Sequence, residues 1–330
     1  MQNRRPMPPA GSVSVIICTH DAGRFALLER AVESVRAQDP PPHELIVVVD
    51  HNATLADRVA QRFPGLTVVA NREAQGLSGA RNSGVLVASG EIVAFMDDDA
   101  AADRGWVAAL AATYEDPATL GAGGTIMPDW ATSQPPWFPD EFLWVVGCSY
   151  RGLPERRRAV RNLIGCNMSF RRSMFTSVGG FLHGMGRGRG LPLGCEETEL
   201  CIRSARMLPG TSFVYEPAAV VHHVVPLQRA RIGYFLLRCF SEGISKASIV
   251  KLLGASEGMA SERSYLTRTL TTGVGHNLAR LLRGSGDGAL KGVMIPAGLV
   301  AFAVGYARAM LRFALRGSPE RITSPVLIDK

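Results

Sequence analysis

Apolar, β-rich runs alternate with helical segments in the N-terminal third, and this alternation constrains the fold more than any other feature of the sequence. The runs at 12–18, 45–49, 66–70 and 91–96 are short and largely apolar, as strands buried on both faces are. Apolar residues at helical spacing, or a Gly-rich stretch that leads into a helix, fill the segments between them. Strands that alternate with helices pair in parallel, so the sequence predicts a doubly wound, mostly parallel α/β sheet.

Acidic residues follow three of these predicted strands. Asp21 lies just after the first, Asp50 ends the second, and the adjacent Asp97, Asp98 and Asp99 end the fourth. Because the carboxyl ends of parallel strands meet at one edge of a sheet, we expect these carboxylates to face a common cleft.

The three adjacent aspartates leave two interpretations open. A solvated acidic turn that caps the next helix would need no ligand. At the mouth of an apolar strand, however, three carboxylates repel one another and are poorly solvated. A hard divalent cation with oxygen ligands relieves both problems and often brings substrate phosphates with it. The second interpretation predicts a site for Mg²⁺ or Mn²⁺ and a diphosphate.

A dinucleotide-binding domain is the main alternative for such a sheet, and the glycine spacing argues against it. That domain needs G-x-G-x-x-G directly after the first strand. This chain has Gly23 alone in the loop at 19–24, while Gly76 and Gly79 follow the third strand at a different spacing.

The overall charge and the cysteines restrict the class of partner. The 330 residues carry a net charge of +7, which suits a nucleotide diphosphate or an anionic lipid. The Arg clusters lack the aromatic interleaving and zinc spacing of nucleic-acid modules, so no nucleic-acid partner is expected. Six scattered cysteines without a CxxC pair indicate reduced thiols in the cytoplasm. Residues 1–11 are predicted to be a flexible tail rather than a signal peptide.

An ordered set of motifs resembles that of family 2 glycosyltransferases, which have the GT-A fold. The matching pieces are Thr19-His20-Asp21, Asp50, the Gly-rich stretch 76–84, the segment 95–99, the strand-like 165–172, the turn Gly179-Gly180-Phe181 and the acidic element 194–203. The resemblance implies an inverting, metal-dependent glycosyltransferase. Its GT-A domain would cover 12–228, with 12–125 binding the nucleotide-sugar and 126–228 the acceptor.

The resemblance also implies roles on the donor side of the site. Thr19 and Asp21 would lie against the base and ribose of the nucleotide, and Asp50 would lie near the base. Arg81 would approach the diphosphate, with a helix-surface ion pair as the alternative.

Within the aspartate triplet, the resemblance separates the three roles. Asp97 and Asp99 would be the outer members of a D-x-D pair, with Asp99 the more direct metal ligand and Asp97 also nearer the ribose. Asp98 belongs to the nucleotide-sugar side and is the one least expected to touch the metal.

The acidic start of a predicted helix supplies the candidate base. Carboxylates in a first helical turn are favoured by the helix dipole, which explains one or two of them without catalysis. The resemblance assigns the base that takes the acceptor proton to Glu197, where the family has Asp, with Glu196 as the rival. Glu199 is expected to support the helix or to pair with Arg203.

Two adjacent histidines, His222 and His223, follow a predicted extended segment. In GT-A enzymes a histidine after the last strand often completes the metal site, and neutral imidazole is a suitable ligand. Since successive strand residues point to opposite faces, at most one of the two reaches the metal. We favour His222, with a purely structural role as the alternative.

Two segments near the middle of the chain keep two interpretations each. Trp130, Trp137 and Trp144 could line an acceptor groove or pack over the edge of the core. The basic, Gly-rich stretch 184–190 could be a lid over the diphosphate or a connector.

The C-terminal region 229–330 is predicted to be a helical extension that contacts a membrane. Residues 292–307 carry no charge, Lys291 precedes them, and Arg308 and Arg312 follow. Sixteen uncharged residues fall short of the roughly 20 that a simple span needs. A helix lying in an anionic leaflet is therefore favoured. A core or dimer helix and a single span are the alternatives.

The combined prediction is an enzyme of cell-envelope or lipid-linked glycan synthesis at the cytoplasmic face of a membrane. It would move a sugar from a nucleotide-diphospho-sugar, most commonly a UDP-sugar in this family, to a hydroxyl of a glycan, polyprenyl-linked or small-molecule acceptor. A non-catalytic module that binds nucleotide-sugars or polyprenyl-linked glycans is a second hypothesis, supported only by the Glu at the base position. A metal-dependent nucleotidyltransferase is a third.

Overall fold

The structure is a computed structural model that describes residues 9–184, 191–254, 269–273 and 286–316. Most of the predicted tail at 1–11 and nearly all of the stretch 184–190 lie outside the described residues.

Four parallel strands joined by helices form the first half of the sheet, as the alternation predicts. The strands are β1 (Val13–Thr19), β2 (Glu44–Val49), β3 (Thr67–Ala70) and β4 (Ile92–Asp97). The helices between them are α1 (Phe25–Arg36), α2 (Ala53–Arg62) and α3 (Leu77–Val87). The strands lie in the order β3-β2-β1-β4 with parallel pairing throughout. Because β1 and β4 lie inside the sheet with both faces covered, their sequences are almost continuously apolar.

The second half continues the same sheet with mixed pairing. Its elements are β5 (Ala100–Ala102), α4 (Trp106–Ala111), β6 (Thr119–Trp130), β7 (Arg158–Val160), β8 (Asn167–Arg171), α5 (Arg172–Val178), α6 (Glu196–Met207) and β9 (Ser212–Val225). The order runs on from β4 as β8-β6-β9-β5, and β7 pairs with β9. β8 is antiparallel to both β4 and β6, whereas β6 and β9 are parallel. The predicted α/β sheet is confirmed, and its antiparallel pairs all involve second-half strands.

Hydrophobic residues cover both faces of the sheet. On one face, α3, α5 and α6 pack over a group of phenylalanines from β4, β8 and the following turn. Phe95 contacts Phe170 and Phe181 edge to face, with ring centroids 6.2 and 5.5 Å apart. On the other face, α1, α2 and α4 bury Leu28, Leu55 and Trp106.

Two long helices follow the sheet and pack closely together. They are α7 (Ile232–Leu253) and α8 (Gly286–Arg316). The close approach depends on glycine, because a Cβ on Gly243 would overlap the carbonyl oxygen of Phe302, and one on Gly305 would overlap that of Phe240. The predicted helical extension is thus present. The uncharged stretch 292–307 is the middle of a longer helix that includes the flanking charges.

By length and composition, one helix in the described ranges could cross a membrane. It is the part of α8 from Gly288 to Leu315, 28 residues long. Only 28% of its most apolar window is buried within the chain, so most of that surface faces away from the protein.

Candidate active site

The three aspartates form the corner between the two halves of the sheet. Asp97 is the last residue of β4, and Asp98 and Asp99 lead directly into β5. β4 lies beside β1 and β8, whereas β5 pairs with β9. The triplet therefore lies at the carboxyl end of a central strand, where the sequence predicts a ligand site.

Asp98 and Asp99 are buried and already have partners from the chain itself. The Thr19 hydroxyl donates to Asp98 at 2.7 Å. The Arg24 guanidinium contacts both carboxylates, with its Nη2 2.7 Å from Asp98 Oδ1. His223 Nε2 lies 3.2 Å from Asp99 Oδ1.

The two carboxyl groups differ in acidity because their partners differ. Burial raises the pKa of Asp98 to about 6 and outweighs the opposing effects of Arg24 and Thr19. Burial would also raise the pKa of Asp99, but its hydrogen bond with His223 and the charges of His223 and Arg24 hold that pKa well below its usual range. Asp99 is thus the more firmly ionised of the two, as a metal ligand must be.

Arg81, on α3, joins the aspartates to the acidic start of α6. Its side chain is 2% exposed, so the alternative of a surface ion pair does not hold. Its Nη2 lies 3.7 Å from Asp97 Oδ1, and its Nη1 donates to Glu196 Oε1 at 2.8 Å. Burial would lower the pKa of Arg81, yet Glu196 and Asp97 raise it above its ordinary value, so the guanidinium stays charged.

Asp50 and Asp21 shape loops of the backbone. Asp50 Oδ1 accepts a hydrogen bond from Asn71 at 2.6 Å, and its Oδ2 accepts one from the N–H of Gly76 at 2.9 Å. Asp50 thereby fixes the Gly-rich turn that begins α3. Asp21 is exposed and caps a short 3₁₀ helix by accepting from the N–H of Gly23 at 2.8 Å.

The first turn of α6 carries both candidate bases. Glu196 is buried and paired with Arg81 through Oε1, while its buried Oε2 has no hydrogen-bond partner among the described residues. Glu197 is half-buried. Burial first, and the neighbouring Glu196 second, raise the pKa of Glu197 to about 8. Glu199 pairs with Arg203 at 2.7 Å, as predicted.

The two histidines point in opposite directions, but it is His223, and not the favoured His222, that points toward the aspartates. His223 is 1% exposed and faces Asp99. His222 is 40% exposed, and its Nε2 lies 3.0 Å from Asp103 Oδ1, away from the triplet. The pairing of β9 with β5, which aligns His223 with Ala100 and His222 with Ala101, sets this phase.

Asp97, Cys166 and His223 offer ligand atoms that all lie within 4.8 Å of one another. Carboxylate and imidazole suit Mn²⁺ and similar divalent ions, and a thiol favours softer ones. Burial raises the pKa of the Cys166 thiol well above its ordinary value. Sequence reasoning did not single out Cys166, although its position just before β8, in the motif 165–172, was a usable signal.

A cavity of about 690 Å³ opens between these groups and the C-terminal helices. Its lining includes Arg81 and Asp97, the adjacent Glu196 and Glu197, and Trp144. Its size suits a small ligand or part of a larger one.

The tryptophans divide between the two predicted roles. Trp144 lines the cavity. Trp130 and Trp137 pack against Phe138, with ring centroids 5.4 and 5.2 Å apart. One tryptophan can therefore meet a ligand, and two belong to the core.

Comparison with known proteins gives consistent results. A family model described as Glycosyl transferase family 2 matches residues 14–179. A Haloferax volcanii protein named glucosyl-dolichyl phosphate glucuronosyltransferase is 38% identical over 238 residues, which cover 71% of this chain and 76% of that protein. The succinoglycan biosynthesis protein ExoM of Rhizobium meliloti is 22% identical over 276 residues, or 77% of this chain and 84% of that protein.

A solved structure shares the fold. The mannosyltransferase PcManGT from Pyrobaculum calidifontis, in complex with GDP-Man and Mn²⁺, is 19% identical to this chain. The two structures align with a TM-score of 0.55 over 96% of this chain and 92% of the other.

Proposed function

Because this chain belongs to glycosyl transferase family 2 and is a glycosyltransferase with the GT-A fold, we propose that it moves a sugar from a nucleotide-diphospho-sugar to an acceptor hydroxyl, with inversion and with a divalent metal. The observation that carries the proposal is the cavity. It is lined by Arg81 and Asp97, which are proposed to act on the donor, and by Glu196 and Glu197, the candidate bases. A diphosphate and an attacking hydroxyl could therefore meet within it.

Arg81 is the proposed partner of the donor diphosphate. It is buried and permanently charged, and it lines the cavity. Thr19, Asp21 and Asp50 are proposed to lie along the nucleotide, with Asp50 acting through the turn at Gly76 that it fixes. A UDP-sugar is the donor expected from the family.

Asp97, Asp99 and His223 would hold the metal, with the Cys166 thiol beside them. Two carboxylates and an imidazole fit Mn²⁺ and accept Mg²⁺ less readily, because Mg²⁺ favours oxygen ligands. When bound, such an ion supplies positive charge that stabilises the departing nucleotide diphosphate. His223 replaces His222 in this proposal because it is the histidine that faces Asp99. Asp98, bonded to Thr19, stays on the nucleotide side.

Glu197 is the proposed general base. The acceptor oxygen attacks the anomeric carbon as the bond from that carbon to the donor phosphate oxygen breaks, and the electron pair leaves with the nucleotide diphosphate. The hydroxyl proton passes to the Glu197 carboxylate. A single displacement of this kind inverts the anomeric configuration. A pKa raised to about 8 suits a group that must take a proton near neutral pH. Glu196, engaged with Arg81, is the alternative base.

The acceptor is proposed to be part of envelope or lipid-linked glycan synthesis, met at the cytoplasmic face of a membrane. The relative from Haloferax volcanii is named for a dolichyl phosphate acceptor. On α8, Val300, Val304 and Leu311 are 63%, 54% and 62% exposed, and Arg308 and Arg312 lie on the same helix. An apolar surface with adjacent arginines suits an anionic leaflet.

Two variants of adjacent histidines test the proposal. With a nucleotide-sugar, an acceptor and Mn²⁺, we expect release of nucleotide diphosphate, and we expect chelator to abolish it. His223→Ala should raise the Mn²⁺ concentration needed for half-maximal release by about tenfold or more, since even indirect partners of a metal are worth that much. His222→Ala is the matched control and should behave like the unmodified enzyme. Full activity in excess chelator would contradict the metal role.

A further inference from the structure

A carboxylate, a thiol and an imidazole from three separate elements meet at the edge of the cavity. Asp97 ends β4, Cys166 directly precedes β8, and His223 belongs to β9. Their ligand atoms all lie within 4.8 Å of one another, and all three residues line the cavity. Cys166 and His223 are 4% and 1% exposed. The three groups therefore converge on a place that a ligand in the cavity can reach but bulk water hardly can.

The pairing of strands fixes the position of the sulfur. β4 and β8 are antiparallel, and Met96 is aligned with Asn167. Extending this register by one pair brings Cys166 opposite Asp97. The backbone N–H of Asp97 donates to the Cys166 sulfur, and His223 turns inward from β9 to meet them. The thiol is thus held by the sheet itself at the end of the strand that carries the aspartates.

Asp97 is the member of the triplet whose charge is least closely paired. Arg24 contacts the other two carboxylates directly. The nearer guanidinium nitrogen of Arg81 is 3.7 Å from Asp97 Oδ1, and the same side chain donates to Glu196 at 2.8 Å. The Asp97 side chain is also 25% exposed. An incoming cation can therefore reach Asp97 from the cavity without first displacing Arg24.

The chemistry of the three groups discriminates among divalent ions. Mg²⁺ favours oxygen ligands and keeps several waters. Imidazole and thiolate suit transition metals, and affinity at such sites rises from Mn²⁺ to Co²⁺. A thiol that binds a metal gives up its proton to the solvent, so its sulfur then carries a negative charge. One sulfur ligand would therefore favour Co²⁺ or Zn²⁺ over Mn²⁺, and all of these over Mg²⁺.

We infer that Cys166 is a direct ligand of the divalent ion, and that its sulfur sets the preference of the site for transition metals over Mg²⁺. This inference rests on the proposed function, which places an ion at Asp97 and His223. It adds that the thiol binds the ion and does not merely lie beside it. Cys166 is thus the residue that selects the ion, while the carboxylates supply the charge that any divalent ion needs.

Co²⁺ binding to the full-length protein tests the inference without any turnover. A thiolate bound to Co²⁺ gives an intense sulfur-to-cobalt charge-transfer band in the near ultraviolet, which oxygen and nitrogen ligands do not give. The protein, with its thiols kept reduced, is titrated with Co²⁺ alone and with Co²⁺ in the presence of UDP. We expect the band to grow and saturate as the ion binds.

Cys166→Ser is the main variant, because it removes the sulfur with little change in size. It should lose the charge-transfer band and bind Co²⁺ about tenfold or more weakly, since even indirect partners of a metal are worth that much. Mn²⁺ binding, followed by electron paramagnetic resonance, should weaken less, because Mn²⁺ gains less from sulfur. Cys148→Ser is the matched control. Its buried thiol lies 3.8 Å from His223 Nδ1, and this variant should keep the band.

Four results would overturn the inference. The first needs no variant and is the absence of the band from the unmodified protein, with and without UDP. The second is a band that survives in Cys166→Ser, and the third is one that disappears in Cys148→Ser instead. The fourth is an equal loss of Co²⁺ and Mn²⁺ affinity in Cys166→Ser, which would remove the sulfur from the choice of ion.

Release of nucleotide diphosphate by the unmodified protein separates these results from failure of the proposed function. A protein that releases nucleotide diphosphate with Mn²⁺ but shows no band with Co²⁺ would overturn the role of Cys166 alone. No release with Mn²⁺, Co²⁺ or Mg²⁺ would count against the proposed function itself, whatever the band shows.

Discussion

Glu197 is a carboxyl group whose surroundings oppose its charge. Burial and the neighbouring Glu196 raise its pKa from 4.5 to about 8. Because a general base must be ionised before it takes a proton, we expect kcat/KM to rise with pH up to about pH 8. A pH profile recorded at saturating metal measures this directly. A rate that stays flat from about pH 6 to 9 would contradict the assignment.

Replacing Glu197 by Gln should separate function from stability. We expect turnover to fall by about 100-fold or more, the usual worth of a general base, while nucleotide-sugar binding stays intact. Between pH 4.5 and about 8 the folded protein keeps a proton at Glu197 that the unfolded chain has lost. This contribution to stability is full below the lower value and is lost as the pH rises through the upper one.

The melting temperature therefore provides a second measurement on the same variant. Relative to the unmodified enzyme, Glu197→Gln should gain stability as the pH is raised from about 5 to about 9, because it has no buried charge to form. Glu155→Gln, at an exposed position, is the control and should change neither turnover nor the pH dependence. Unchanged turnover in Glu197→Gln would move the base to Glu196.

At the scale of single residues, the sequence indicated which side chains lie near the cavity but not which way each of them points. The triplet, Arg81 and the acidic start of α6 do line or adjoin one cavity. The alternation of side chains along β9 was predictable. Which of them face the aspartates depends on the alignment of His223 with Ala100, a contact between residues far apart in the chain. Arg24 gave no signal, since an arginine after a strand loop has no distinctive pattern.

At the scale of elements, the packing of α7 against α8 leaves no room for a side chain at the closest points between the two helices. Gly305 is buried where a Cβ would overlap the carbonyl oxygen of Phe240. Gly305→Ala should therefore push the helices apart and cost about 1–3 kcal/mol of stability, as overpacking does. Thermal unfolding measures the loss.

Gly233→Ala is the matched control for this contact. Gly233 lies in α7 with open space around its Cβ position, and alanine is the better helix former there. The control should be unchanged or slightly more stable. Equal effects of the two substitutions would mean that the close approach of the helices contributes little.

The sequence predicted a helical C-terminal region but did not set the ends of α8. The uncharged stretch 292–307 ends at charged residues, and these residues are not the ends of the helix. Lys and Arg are good helix formers, so the helix continues through Lys291, which pairs with Asp140, and through the exposed Arg308 and Arg312. Pro296 is also within α8. The length of the helix depends on its packing against α7, and α7 is too far away in the chain for a short stretch of sequence to include both.

The molecule combines a glycosyltransferase fold with an exposed apolar face on α8. This combination predicts attachment to anionic membranes. We expect the protein to sediment with vesicles that contain anionic lipid and to be released by high salt, because the arginines of α8 contribute an electrostatic part. Val300→Glu with Val304→Glu should weaken sedimentation by at least several-fold.

An equally charged change elsewhere controls for net charge. Ala60→Glu with Gln61→Glu, which also adds two negative charges, lies at exposed positions of α2 and should leave sedimentation nearly unchanged. Equal loss in both variants would attribute attachment to overall charge alone. Sedimentation that survives both changes would exclude the α8 face as the attachment surface.

At the scale of the molecule, the sequence predicted the parallel half of the sheet well and its mixed half poorly. β1, β2 and β3 are joined by single helices and lie side by side in chain order, while β4 crosses over to lie beside β1. β5 and β7 have only three residues each and pair with β9 far along the chain. Strands of three residues are too short to show an alternating pattern of apolar and polar residues in the sequence. Membership of the family also decides against the nucleotidyltransferase and the non-catalytic module as descriptions of this chain.

The contact of Arg24 with Asp98 and Asp99 has a consequence for whether folding must wait for metal binding. Because the chain provides its own counter-ion for these carboxylates, it can finish folding before it has found a divalent ion. Folding would then not depend on the supply of the proposed ion, and loss of the ion would not leave these carboxylates without a counter-ion.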